Sequence, residues 1–129
     1  MKKHLHLHKL YNMTAKFRVE FLVDAAEFID KLDEKTRDKV IYNIQKARVS
    51  NDKELFRKLK GEIWEFRTLY NKTHYRLFAF WDKTENTETV VISTHGLIKK
   101  TDKTPQGEIA KAENIRRQYF NLKINRNEK

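Results

Sequence analysis

The chain has 129 residues, 36% of them charged and 12% aromatic, with three glycines, one proline and no cysteine. That suits one domain with a real core, and it excludes disulfides, thiolate nucleophiles, most structural zinc sites and long flexible linkers. A formal charge of +10 and a pI near 9.8 turn the surface towards polyanions such as RNA, DNA, a ribosome or an acidic protein. No apolar run approaches the roughly 18–20 residues that span a bilayer, so a soluble, cytoplasmic chain is expected.

Residues 1–15 read as a disordered leader or tag-like extension, and residues 16–125 as a single domain. His4, His6 and His8 alternate with leucines and would share one face of an extended segment. Without a carboxylate or cysteine nearby, a leader is the better reading than a metal site. Order begins at KFRVEFLV, where Phe17, Val19 and Phe21 alternate with Lys16, Arg18 and Glu20 as in a half-buried strand. Asp24 and Glu27 have the spacing of a capping box, and Phe28, Ile29 and Leu32 give the helix that follows its apolar face. A second helix is expected over 34–48, with Val40, Ile41, Ile44 and Ala47 at helical spacing, so that the two form a helical hairpin.

Residues 51–60 are polar and basic; Leu55, Phe56 and Leu59 would anchor a short turn or helical piece that Gly61 ends. IWEFRTL, YRLFAFW and TVVIST are strands, joined through the polar stretches NKTH and DKTENTE as antiparallel hairpins with connections of roughly six to eight residues. Both faces of YRLFAFW are apolar, which suits the centre of a sheet covered on one side and curved on the other. Thr104 and Pro105 read as the N-cap and first residue of a last helix, whose apolar stripe is Ile109, Ala112, Ile115, Tyr119 and Leu122. The order β-α-α-(turn)-β-β-β-α argues an α+β fold with a curved antiparallel sheet.

No GxxxxGK[ST], GxSxG or HExxH stands in the sequence, and no carboxylates cluster about a histidine. What the sheet offers is cations. Arg67 and Arg76 fall close together if their strands pair in sequence, with His95 and then Lys99, Lys100 and Lys103 following the third strand. Such a set suits phosphodiester cleavage of RNA: arginine gives paired hydrogen bonds to phosphate oxygens, and a histidine near neutrality can move a proton. His95 is read either as that proton carrier or as a strand-end histidine bonded to backbone. Lys103 and its neighbours also supply steering charge. Trp64 and Trp81 could stack on bases, but core packing is the expected role on such apolar strands.

The segments LKGEIWEFR, YRLFAFW and VVISTHGLIKKTDKTPQGEIAKA resemble the HigB-like, phage-derived branch of the RelE/ParE toxin superfamily. The matching residues are Lys58, Leu59, Lys60, Gly61, Trp64, Glu65 and Arg67, then Tyr75 and Arg76, then the run from His95 and Gly96 through Lys99, Lys100, Thr101 and Lys103 to Thr104 and Pro105. Glu108, Ile109 and Ala112 continue it, while Leu97 replaces the more usual phenylalanine; the resemblance spans about 16–122. It implies a RelE-like fold and a type II toxin–antitoxin toxin: a ribosome-dependent, metal-free mRNA endonuclease that leaves 2′,3′-cyclic phosphate and 5′-hydroxyl ends and so inhibits translation. The implied partners are the 70S ribosome with its mRNA and a cognate antitoxin, often an Xre (HigA-type) helix-turn-helix protein. DNA would be met only through that antitoxin, and no metal, cofactor or membrane is implied.

By position, Arg76 corresponds to the arginine that holds the scissile phosphate, Arg67 to a strand lysine, and Lys99 or Lys100 to a second cation. Lys58, Lys60, Lys100 and Lys103 are the expected RNA or ribosome contacts. No residue matches the C-terminal tyrosine base of the best-known relatives, so His95 is taken as its substitute. Two rival readings are a gyrase-inhibiting toxin of the same fold without nuclease activity, and a non-catalytic RNA- or protein-binding module.

Overall fold

YRLFAFW is apolar on both faces because it lies in the middle of a five-stranded sheet with helices on both sides. The computed structural model describes residues 15–85 and 89–127, so the leader expected over 1–15 falls outside the described residues except for Ala15. The elements run β1 (Arg18–Phe21), α1 (Val23–Asp30), α2 (Glu34–Val49), β2 (Phe56–Lys60), β3 (Ile63–Tyr70), β4 (Thr73–Asp82), β5 (Val90–Lys99) and α3 (Gln106–Asn127). The sheet order is β1-β5-β4-β3-β2, which makes the fold α+β, consistent with a RelE-like architecture.

Alternation along β4 sends Leu77 and Ala79 towards α1 and α2, with Phe17, Ile29, Val40, Ile44 and Phe66. Phe78 and Phe80 point the other way, into a second core with Ile63, Ile92, Ile109 and Ala112 of α3. Each of these two phenylalanines is 0% exposed, and burying one stabilises the fold by about 1.5–3 kcal/mol. The sheet is therefore covered on both faces, not on one as expected. Trp64 and Trp81 meet edge-to-face at 5.6 Å on the α1–α2 side, beside Phe17 and Phe56, and so serve packing.

Four local expectations need correction. The sheet is mixed: β1 pairs parallel with β5, because no hairpin sets its direction. Residues 56–60 form a strand on the sheet edge, where outward lysines mask the alternation of Phe56 with Arg57 and Leu59. The β3–β4 hairpin turns on just Asn71 and Lys72, both with positive φ (50° and 60°), the conformation of a tight primed turn. Finally, α1 starts at Val23 with Leu22 in the cap position and no side-chain cap bond, so Asp24 sits inside the first turn rather than capping it. Asp33 does cap α2, accepting from the Thr36 amide at 2.9 Å.

The C-terminal helix is held at both ends. Near its far end, Asp82 is buried and accepts from Tyr119 Oη at 2.5 Å, Lys123 Nζ at 2.7 Å and Thr84 Oγ1 at 2.6 Å. Burial pushes the Asp82 carboxyl up, but these bonds together outweigh it and hold the group well below the usual carboxylate range. Leu122, expected in the buried stripe, is 58% exposed, while Tyr119 and Lys123 on either side of it reach Asp82 at the end of β4.

Candidate active site

Period-two alternation decides which side chains meet at the near end of α3. Glu65 and Arg67 follow Ile63 on β3, and His74 and Arg76 precede Phe78 on β4, so all four face the α3 side. In the register, Arg67 lies opposite Arg76 and His74 lies opposite Lys99. The expected proximity of Arg67 and Arg76 is thus present, and Lys99 joins them from β5.

Two like charges directly across a strand pair repel unless something neutralises them. Glu65 does so from below. It is 0% exposed, and its Oε2 accepts from Arg76 Nη1 at 3.2 Å and from Arg57 Nε at 3.0 Å, with Arg67 Nε at 3.5 Å. Its other oxygen takes the Thr104 hydroxyl at 3.3 Å. Thr104 therefore ties the loop to the sheet and lies just outside the helix, which starts at Gln106; the N-cap expectation is corrected. From above, Asp102 Oδ1 sits 2.7 Å from Arg67 Nη2 and 2.5 Å from Arg76 Nη2. Hydrogen bonds from Arg67 lead the effects that hold the Asp102 carboxyl below its ordinary value.

Among the described residues, three buried side-chain nitrogens make no hydrogen bond: Arg76 Nε, Lys99 Nζ and Arg67 Nε, the last in ion-pair contact only with Glu65 at 3.5 Å. All belong to this one cluster. Burial, then the charge of Arg76, lowers the Lys99 pKa. Burial also lowers that of Arg76, opposed by Glu65, yet a guanidinium stays protonated at any physiological pH.

His95 is placed differently from its expected role. Thr94 and His95 together oppose Phe78, a β-bulge that turns the imidazole inward against the Phe78 ring at 4.8 Å. It is 3% exposed, with Nε2 2.9 Å from Glu108 Oε1 and Nδ1 2.9 Å from Thr94 Oγ1. Burial pushes its pKa below the ordinary value, and the Glu108 bond works against that. His95 thus pins the start of α3 to β5 and is closed to solvent in this arrangement, with both ring nitrogens engaged, which weighs against the reading of it as the proton carrier. The bond to backbone that was the alternative is also replaced, by side-chain partners.

Of the remaining expected contacts, Lys100 Nζ donates to Thr73 Oγ1 at 3.1 Å, and Lys103 is exposed on the same loop. Lys58 and Lys60 are exposed on the edge strand β2; Lys58 lies across from Trp64, on the α1–α2 side of the sheet and away from the arginines.

His74, Asp102, Arg57 and the role of Glu65 were not read from the sequence. A signal existed for two of them: His74 precedes Arg76 by two positions and Glu65 precedes Arg67 by two, so each shares its arginine's face. His74 Nδ1 lies 3.3 Å from Arg76 Nη2, and the ring is partly exposed at the mouth of the cluster. Tyr119 sits at the opposite end of β4 from the arginines, where its hydroxyl is committed to Asp82. Among the described residues, no group of three His, Cys, Asp or Glu side chains could hold a metal ion, and no helix is long and apolar enough to cross a membrane.

A basic sheet face closed by a C-terminal helix places the chain in the class of small α+β proteins with RelE-like architecture. Residues 27–117 match the family described as phage derived protein Gp49-like (DUF891), and the chain belongs to that family. It is a family of RelE/HigB-type toxins from toxin–antitoxin systems, which implies a cognate antitoxin as partner. No curated protein matches the chain.

Proposed function

We propose that the chain is an mRNA interferase: a cytoplasmic toxin that cuts mRNA in the decoding site of the translating ribosome. The supporting observation is the convergence, at one point of the sheet, of three buried cationic side chains, Arg67, Arg76 and Lys99, each with a buried nitrogen that makes no hydrogen bond among the described residues. Native proteins rarely leave such donors unpaired, and a phosphate supplies what they lack.

In this reading the ribose 2′-oxygen attacks the adjacent phosphorus, its proton passing to a base as the new P–O bond forms. Charge develops on the phosphoryl oxygens, where Arg67 and Arg76 donate to it from fixed positions. The bond from phosphorus to the 5′-oxygen then breaks, and that oxygen takes a proton from Lys99. The products are a 2′,3′-cyclic phosphate and a 5′-hydroxyl. Desolvation and the neighbouring guanidinium lower the Lys99 pKa, which makes it a better acid. His74 replaces His95 as the base: it is partly exposed, within 3.3 Å of Arg76 and directly across from Lys99.

The positive surface, including Lys100 and Lys103, would steer the protein to ribosomal RNA. A helix-turn-helix antitoxin of the Xre (HigA) type is the proposed neutralising partner. Primer-extension mapping of one transcript, translated and untranslated, tests the reading. Codon-phased cuts confined to the translated sample support it; an intact transcript together with inhibited DNA supercoiling would replace it with the gyrase reading.

A further inference from the structure

The loop between β5 and α3 carries its own anion into the arginine pair. Asp102 is the residue through which it does so: one carboxylate oxygen bridges Arg67 Nη2 at 2.7 Å and Arg76 Nη2 at 2.5 Å. A carboxylate and a phosphodiester present similar paired oxygens to guanidinium groups, and arginine binds either in the same way. The position taken by Asp102 is therefore the position a phosphate would take.

The closure is complete at Arg76, nearly so at Arg67 (11% exposed on its side chain) and loose at the loop. Arg76 is 1% exposed, and Lys99 Nζ and both guanidinium Nε atoms are buried. No phosphate reaches them in this conformation. Asp102 itself is 65% exposed on its side chain, and Lys100, Thr101 and Lys103 around it are exposed. Apart from the Asp102 carboxylate, three single hydrogen bonds tether the segment to the sheet: Lys100 to Thr73, Thr104 to Glu65, and Arg76 Nη2 to the Asp102 carbonyl at 3.3 Å. A carboxylate so exposed can return to water, and its departure leaves Arg67, Arg76 and Lys99 against buried Glu65 and the exposed Glu54, which lies 3.5 Å from Arg67 Nη1.

We infer that Asp102 is an internal stand-in for the substrate phosphate, and that the 100–104 loop must withdraw it before RNA can enter. This rests on the reading of the arginine pair as the phosphate site. The contact is autoinhibitory: weak or isolated anions compete poorly against a tethered carboxylate, whereas a polyanion held by the surrounding lysines displaces it.

The test is binding of the full-length chain to a non-cleavable 2′-O-methyl oligoribonucleotide, read by fluorescence anisotropy at fixed salt. D102N and D102A are expected to bind roughly tenfold tighter than wild type, the scale of a charge-assisted contact. E27Q, which makes the same charge change on exposed Glu27 of α1, is expected to shift affinity less than about twofold, as for a distant screened charge. The double variant D102N/R76K is expected to lose the gain. If both Asp102 variants bind no tighter than E27Q while D102N/R76K binds more weakly than D102N, the gate is overturned and the phosphate site stands. If D102N/R76K binds as tightly as D102N, the gain does not run through Arg76, and both the gate and the phosphate site are overturned.

Discussion

Arg67 and Arg76 face one another across the β3–β4 pair, and each lies within ion-pair distance of the same two carboxylates, Glu65 and Asp102. The two carboxylates are unalike. Glu65 is wholly buried and belongs to the sheet, whereas Asp102 is exposed and belongs to the loop. One is a permanent neutraliser and the other a removable one.

Glu65→Gln should therefore be costly. It leaves Arg76 buried and Arg67 nearly so with no compensating charge beneath them. Breaking a buried ion pair on one side typically costs about 3–5 kcal/mol, and equilibrium urea unfolding measures it. A loss under about 1 kcal/mol would mean that Asp102, Glu54 and solvent suffice to neutralise the pair. The same reasoning applies to Arg76→Ala, which strands the Glu65 carboxylate and should also destabilise the fold. Arg76→Lys keeps the charge and removes the fork.

His95 gives a pH signature. Its folded pKa lies below the ordinary value of 6.5, since burial opposes protonation, aided by Lys111 and resisted by Glu108 and Asp24. Below that value the unfolded chain binds more protons than the folded one, so this contribution is full above about pH 6.5 and is lost as pH falls. His95→Gln should flatten the fall in stability as the pH drops below about 6.5, measured as thermal midpoints. An unchanged slope in that window would show that His95 titrates normally.

The Asp82 clamp makes a separate acid limb. Its folded pKa is depressed, so its contribution is present above the unfolded value of 3.8 and lost as pH falls below it. At neutral pH, Tyr119→Phe removes one hydrogen bond to a carboxylate and should cost about 1.5–3 kcal/mol. Hydrogen exchange should localise the change to the last turns of α3. Global exchange without a local increase there would contradict the clamp.

Gly96 is fixed by a close approach. A Cβ there would stand 2.3 Å from the Phe28 ring, whose near edge packs on β5. Gly96→Ala must displace the Phe28 ring or the helix that carries it, a cost of about 1–3 kcal/mol for overpacking. Combining it with Phe28→Ala should recover part of that loss, a coupling that a double-mutant cycle reads directly. Strict additivity would show that Phe28 moves aside freely.

How much of this was legible in the sequence depends on whether the signal was local. The period-two runs around Arg67 and Arg76, and the helical spacing of Val40, Ile41, Ile44 and Ala47, located their elements because each side chain's face follows from its neighbours. The strand at Phe56–Lys60 was hidden by its lysines, which sit outward on an edge and read as loop composition. The inward turn of His95 depends on a bulge opposite Phe78, which no spacing announces. Asp102 lay in plain view within KKTDKTP, but the partners that give it meaning are 35 and 26 residues away in sequence.

The most direct test of the central claim, that the arginine pair grips the scissile phosphate, is primer-extension mapping of a translated transcript with wild type and Arg76→Lys. Arg116→Lys, an equal exchange on α3 away from the pair, serves as the control, and thermal melts show that each variant folds. Codon-phased cuts by wild type and Arg116→Lys, reduced by a factor on the order of 100 in Arg76→Lys, are the expected result for loss of one preorganised donor. Equal cutting by all three proteins would contradict the claim.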